Sequence, residues 1–306
     1  MALISDSAAA EVREAFGAVG TAMITPFSED GTIDYAVVES TAAHLVDLGN
    51  DQLVVSGTTG ESPTTSDEEK TRLLEVVVGA VGDRARIIAG VGTNDTAHSV
   101  ELARAAAAAG AHGLLVVTPY YSKPPQAAIA AHMRTVADAT ELPVMLYDIP
   151  GRSGVPISTE TLLELGEHPR ILAVKDAKGD LAASARVMWE SPLAYYSGED
   201  ALNLPLMACG AAGIVSVVGH VSADRFASMV AAVEGNDLDS ARRIAAELAP
   251  LVDAVMNHMP GVVAVKAALE LQGVIPTRAT RMPLLPASDE QVEHVRAQLK
   301  RSGYLQ

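Results

Sequence analysis

Cysteine and aromatic residues are both scarce: one Cys, one Trp, three Phe and seven Tyr in 306 residues. The lone cysteine, Cys209, has no partner for an internal disulfide, so a cross-linked framework is excluded and the chain fits a reducing, cytosolic setting. Its neighbours (LPLMACGAAG) are apolar, which suits buried filler better than a nucleophile. Cations are also short: 22 Lys and Arg against 38 Asp and Glu leave a formal net charge of -16. That balance argues against nucleic acid and anionic membrane as partners, because both require clustered positive charge. The N-terminus lacks a basic segment followed by an apolar run, so no secretory signal is expected. One stretch, residues 201–223, is free of charge if His220 is neutral, but Pro205, Gly210, Gly213 and Gly219 break it into pieces too short to span a bilayer.

Several chemical signatures are missing as well. The eight histidines form no HxH or HxxxH pair, and the cysteine has no partner ligand, so no metal or other cofactor is expected. There is no GK[ST] phosphate loop, no GxSxG elbow, and no GxGxxG opening the first helix.

What is present is an apolar fraction of 49% dominated by small aliphatics, which suits a close-packed α/β protein. Short apolar runs recur at residues 19–27, 52–56, 86–89, 113–118, 143–147, 171–175, 194–197 and 213–218. Each is followed by helical spacing, as at residues 35–48 before Gly49, or at the capping box Ser66-Asp-Glu-Glu69. Eight strand-then-helix units are what a (β/α)8 barrel requires. An open doubly wound sheet would alternate in the same way, but no dinucleotide fingerprint or long insertion between halves supports it. Beyond residue 235 the strand signal stops, and helices are expected at 238–248, 251–259, 262–271 and 288–299. The expected division is therefore an N-terminal arm (1–16), a barrel (17–235), and a C-terminal helical domain (236–306) that caps the barrel or packs on another copy.

In such a barrel the loops after the strand C-termini form the active face. They offer Thr58, Thr59 and Glu61, then Tyr120 and Tyr121, Tyr147 and Arg152, Lys175, Ser197 with Gly198, and Ser216. The stretch 171–180, ILAVKDAKGD, reads as a strand buried on both faces that closes on Lys175. Desolvation there would favour the neutral amine, the form that attacks a carbonyl; alternatively, the lysine snorkels into a loop. Gly57-Thr-Thr-Gly60 is either a set of backbone N–H groups aimed at an anion or a plain tight turn. Tyr147 is a proton carrier or a core tyrosine, Arg152 a carboxylate clamp or a surface cation, and Tyr120-Tyr121 a site element or a contact.

Taken together and in order, GTAMITPF, GTTGES, VTPYYSKPPQ, YDIPGRSG, ILAVKDAKGD, YYSGED and GIVSVVGH resemble the 4-hydroxy-tetrahydrodipicolinate synthase (dihydrodipicolinate synthase) family of pyruvate-dependent class I aldolases, from about residue 17 to the end. The resemblance implies that Lys175 forms a Schiff base with pyruvate. It implies that Tyr147 shuttles protons through Thr58 to Tyr121 of a neighbouring subunit, and that Thr58 and Thr59 hold the pyruvate carboxylate. Arg152 would receive the carboxylate of L-aspartate 4-semialdehyde, and Gly198 and Ile214 would line the pocket through their backbone. A homotetramer built as a dimer of dimers is implied too. Sister lyases that cleave sugar acids such as N-acetylneuraminate or 2-keto-3-deoxygluconate share the lysine and tyrosine but commonly differ at the position of Arg152. Lysine-inhibited members resemble this chain at Ser62, Asn94 and Tyr120. They carry histidines near Asp67 and Lys70 and a glutamate near His98, so weak or absent inhibition by L-lysine is expected here.

Overall fold

The structure, a computed structural model, describes residues 6–305. Eight strands, β1 (Val19–Ala22), β2 (Gln52–Val55), β3 (Arg86–Gly90), β4 (Gly113–Val117), β5 (Val144–Asp148), β6 (Ile171–Asp176), β7 (Ala194–Ser197) and β8 (Gly213–Ser216), pair in sequence order into a closed barrel. The closing ladder is parallel, with Val19 opposite Ile214 and Thr21 opposite Ser216, and this contact rules out an open sheet. The first strand is shorter than the expected 19–27: the chain leaves the ladder after Ala22, and Phe27 returns only as an isolated bridge to Ile33.

Alternation along the strands builds two apolar layers. Residues such as Leu53, Leu114, Leu146, Val174 and Ile214 point outward beneath the helices. Val54, Ile88, Leu115, Met145, Ala173, Ala194, Tyr196 and Val215 fill the barrel interior. Successive side chains of a strand face opposite ways, so strands buried on both faces lose the apolar-polar alternation and read as the continuous runs seen in the sequence. Gly213 has no room for a side chain, since a β-carbon would stand 2.3 Å from the Ala18 carbonyl oxygen.

Where an arm was expected, Asp6–Phe16 is a helix, while residues 1–5 of that expectation lie outside the described residues. Val12 and Phe16 are buried at the N-terminal end of the barrel, and Phe16 meets the Tyr196 ring edge-on at 6.2 Å. The Tyr196 hydroxyl donates to the Gly17 carbonyl at 2.7 Å. An isolated helix of this length is marginal in water, so its existence depends on this tertiary partner rather than on local sequence.

After β8 a helix runs over Gly219–Glu234, with a break at Ser222 (φ -136, ψ 32). Helices Leu238–Met256, Gly261–Leu271 and Asp289–Arg301 follow. The two helices expected at 238–248 and 251–259 are one, continuous through Pro250. Proline removes one backbone donor, and buried Leu248, Leu251 and Val252 on either side supply the packing that holds the helix together. Among the described residues, no single helix is long and apolar enough to cross a membrane.

Candidate active site

Lys175 and Tyr147 come from adjacent strands near their C-terminal ends. They are register partners across β5 and β6, and Lys175 is paired on its other side with Tyr196 of β7. Both point into the barrel and are buried, with exposures of 4% and 7%. The Lys175 nitrogen lies 4.3 Å from the centroid of the Tyr147 ring. Burial pulls the Lys175 ammonium down to about 8, opposed by Asp200 and assisted by Arg152. Roughly one amine in ten is then neutral at pH 7, several hundred times the fraction of a free lysine. The snorkelling alternative does not describe this residue.

Burial likewise pushes the Tyr147 phenol up to about 12; Arg152 moderates that rise and Glu199 adds to it. At neutral pH this hydroxyl is a proton donor. Tyr147 lines a cavity of about 180 Å³ at the mouth of the barrel, together with Thr58, Tyr120, Ile149 and Arg152. A neighbouring cavity of about 220 Å³ shares Thr58 and Arg152, adds Thr59 and Glu61, and is walled by Met256, Pro260 and Leu284 of the C-terminal helices and loops.

The loop bearing the threonines is tightly closed. Gly60 N and Ser62 N both donate to the Gly57 carbonyl, at 3.1 and 3.3 Å, and Glu61 N donates to the Thr58 carbonyl at 3.1 Å. The Thr25 hydroxyl holds the Gly60 carbonyl at 2.7 Å. Arg152 sits in the short helix Pro150–Ser153, exposed at the rim of both cavities.

Gly198 follows β7 and lies against the stem of the amine: a β-carbon there would stand 2.8 Å from both Cγ and Cε of Lys175. Ile214 turns its side chain outward beneath the helices. Neither Gly198 nor Ile214 lines the two cavities, so any role they have is through proximity to Lys175 or through backbone. Tyr121 is not gathered into the site of its own chain. It is 90% exposed on the loop after β4 and adopts φ +74, a left-handed conformation rare for a tyrosine.

One acid not singled out from sequence matters here. Asp200 is buried, accepts from the backbone N–H groups of Val217 and Val218 at 2.9 and 3.0 Å, and takes the Ser216 hydroxyl as well. It ties the loops after β7 and β8 together and is the main electrostatic counterweight to the desolvation of Lys175. Its position in YYSGED, just beyond a strand C-terminus, was the available signal.

A desolvated strand-end lysine beside a phenol and a guanidinium, in the mouth of a closed parallel barrel, defines a lyase of the class I aldolase type. The chain belongs to the dihydrodipicolinate synthetase family, whose profile matches residues 15–302. It is 62% identical over 295 residues to a 4-hydroxy-tetrahydrodipicolinate synthase of Kineococcus radiotolerans, covering 96% of each chain. It is 57% identical over 289 residues to that of Mycolicibacterium paratuberculosis, covering 94% of this chain and 96% of the relative. The crystal structure of the dihydrodipicolinate synthase of Cyanidioschyzon merolae with lysine bound superposes with a TM-score of 0.92 at 40% identity, over 95% of this chain and 99% of the other.

Proposed function

We propose that this chain carries out the reaction of the 4-hydroxy-tetrahydrodipicolinate synthases, condensing pyruvate with L-aspartate 4-semialdehyde in the route to diaminopimelate and lysine. The observation that carries this reading is the buried Lys175 nitrogen over the Tyr147 ring, with Arg152 beside Tyr147 on the cavity that the phenol lines. The neutral amine adds to C2 of pyruvate. Tyr147, protonated at rest, supplies the proton with which the carbinolamine oxygen leaves as water. The resulting iminium is a positive charge beside the phenol, and it lowers the cost of the phenolate that then takes a proton from the pyruvate methyl. The enamine so formed attacks the aldehyde carbon of the second substrate, and the aldehyde oxygen takes up a proton.

Thr58 and Thr59 hold the pyruvate carboxylate through hydroxyl and backbone N–H, in a loop whose closure leaves those groups free to face a ligand. Arg152 receives the carboxylate of the semialdehyde; a guanidinium fork selects an aldehyde that bears a carboxylate, which the aldehyde partner of a sugar-acid lyase lacks. Tyr121 completes the proton relay of a neighbouring copy in a homotetramer. Its exposure and left-handed backbone support that role, since the side chain extends away from its own chain.

Sodium borohydride added with pyruvate tests the reading. A reduced adduct mapped to Lys175 is expected, and an adduct on any other lysine would end it.

A further inference from the structure

A second lysine is buried as well. Lys266, on helix Gly261–Leu271, is fully buried, and its Nζ donates to Glu61 Oε1 at 2.5 Å and to the Ala279 carbonyl at 2.7 Å. Glu61 is the last residue of the Gly57-Thr-Thr-Gly-Glu loop and is itself buried. Its second oxygen accepts from the backbone N–H of Arg281 at 2.9 Å. Both carboxylate oxygens are thus held by the C-terminal segment, more than 200 residues away in sequence.

The pair is embedded in a wider clamp. Two cations stand over the Phe27 ring, with Lys266 Nζ 4.3 Å and Arg281 Cζ 4.6 Å from its centroid. The Arg281 guanidinium donates to both Glu69 oxygens at 2.7 and 2.6 Å, to the Thr64 carbonyl at 2.7 Å, and to the Gly31 carbonyl at 2.8 Å. The loops after β1 and β2 are therefore locked to the segment that follows helix Gly261–Leu271.

A buried ion pair is a poor way to gain stability, because apolar side chains of similar volume commonly do as well. What ionic hydrogen bonds add is direction. Glu61 has φ +55, and its backbone N–H closes on the Thr58 carbonyl at 3.1 Å. Such a backbone persists only where its surroundings hold it in place. If the carboxylate were released, the relaxing peptide would carry Thr58 and Thr59 with it.

We propose that Lys266 is a positioning residue for pyruvate: by pinning Glu61 it sets the aim of Thr58 and Thr59, so that the C-terminal helical segment takes part in binding the carboxylate. The proposal rests on the assignment of those threonines to the pyruvate carboxylate. It deepens that assignment by naming what orients them.

The test uses the full-length enzyme carrying Glu61→Gln and Lys266→Met together, which leaves no unpaired charge, and Glu61→Asp, which keeps the charge but draws the carboxylate back. Thr59→Ala is measured in parallel. Steady-state kinetics in each substrate, a thermal melt, and borohydride trapping at saturating pyruvate are recorded. The expected result is a KM for pyruvate raised about tenfold or more in all three variants, with kcat and the KM for the semialdehyde within about threefold of wild type and trapping at Lys175 retained. If Thr59→Ala raises that KM while both the double variant and Glu61→Asp bind pyruvate as wild type does, the positioning role is overturned and the threonine assignment stands. A loss of thermal stability with unchanged KM assigns the pair to the fold alone and also overturns the proposal. If Thr59→Ala itself leaves KM unchanged, the threonine assignment fails and the role of Lys266 falls with it.

Discussion

Asp148 and Asp176 are register partners across β5 and β6, one residue beyond Tyr147 and Lys175, and each fastens the loop that leaves its strand. Asp148 accepts from Ile157 N at 3.1 Å, closing the loop that carries Arg152. Asp176 accepts from Lys178 N at 2.7 Å and from the Ser184 hydroxyl. Burial pushes Asp148 up to about 6, against the pull of Lys178, whose Nζ stands 3.4 Å from an oxygen that has no hydrogen bond of its own.

The sign of that shift yields a prediction. Between about pH 4 and pH 6 the folded protein holds a proton on Asp148 that the unfolded chain has released, so stability from this group falls as pH rises through the window and is level above it. Asp148→Asn keeps an acceptor for Ile157 but removes the titration. Relative to wild type, its melting temperature should rise between about pH 4.5 and pH 7, by the equivalent of up to roughly 2 kcal/mol. An equal offset at both pH values would count against this account.

Lys175 carries the opposite kind of shift. With the ammonium pulled down to about 8, imine formation with pyruvate should accelerate with pH and level off above that value. At pH 7 most of the buried amine is charged, which costs stability; Lys175→Met should therefore abolish borohydride trapping yet raise unfolding stability by up to about 3 kcal/mol. A variant both inactive and less stable would contradict the desolvation argument.

Arg152→Ala should lower kcat/KM for the semialdehyde about 10- to 100-fold, the range for losing hydrogen bonds to a charged group, while pyruvate trapping at Lys175 stays within about threefold of wild type. Equal damage to both steps would show that Arg152 acts on pyruvate instead.

Because Tyr121 is 90% exposed, Tyr121→Phe should leave the stability of its own chain within about 0.5 kcal/mol. Activity should fall about tenfold or more if the hydroxyl serves a neighbouring site. Native mass spectrometry and activity at matched dilution give the check, and a fully active monomer would remove the trans role.

At the positions where lysine-inhibited members carry histidines and a glutamate, His98 Nε2 stands 2.9 Å from Asp67 Oδ2 and Lys70 donates to the Thr65 carbonyl at 2.5 Å. With His98 standing where those members carry a glutamate, the chain lacks at that position a carboxylate that could receive an ammonium group, so L-lysine at physiological concentration should inhibit weakly or not at all. Inhibition in a steady-state assay at that concentration would refute this.

Much of the molecule was legible in the chain itself because it depends on local pattern. Eight apolar runs with intervening helical spacing specify an alternating α/β fold, and the family motifs single out the lysine that ends a doubly buried strand as the nucleophile proposed here; that the sheet closes is decided by β1 lying against β8. Tertiary structure alone decided the rest. The helix Asp6–Phe16 exists because a barrel end needs Phe16, the helix through Pro250 persists because its flanks are buried, and Asp200 is held by Val217 and Val218 because β7 and β8 are neighbours. Glu61 and Lys266 are 205 residues apart, and nothing in the local spacing of either one announces the other. Periodicity records which face of an element is covered, whereas the partner that covers it is chosen only when the chain closes on itself.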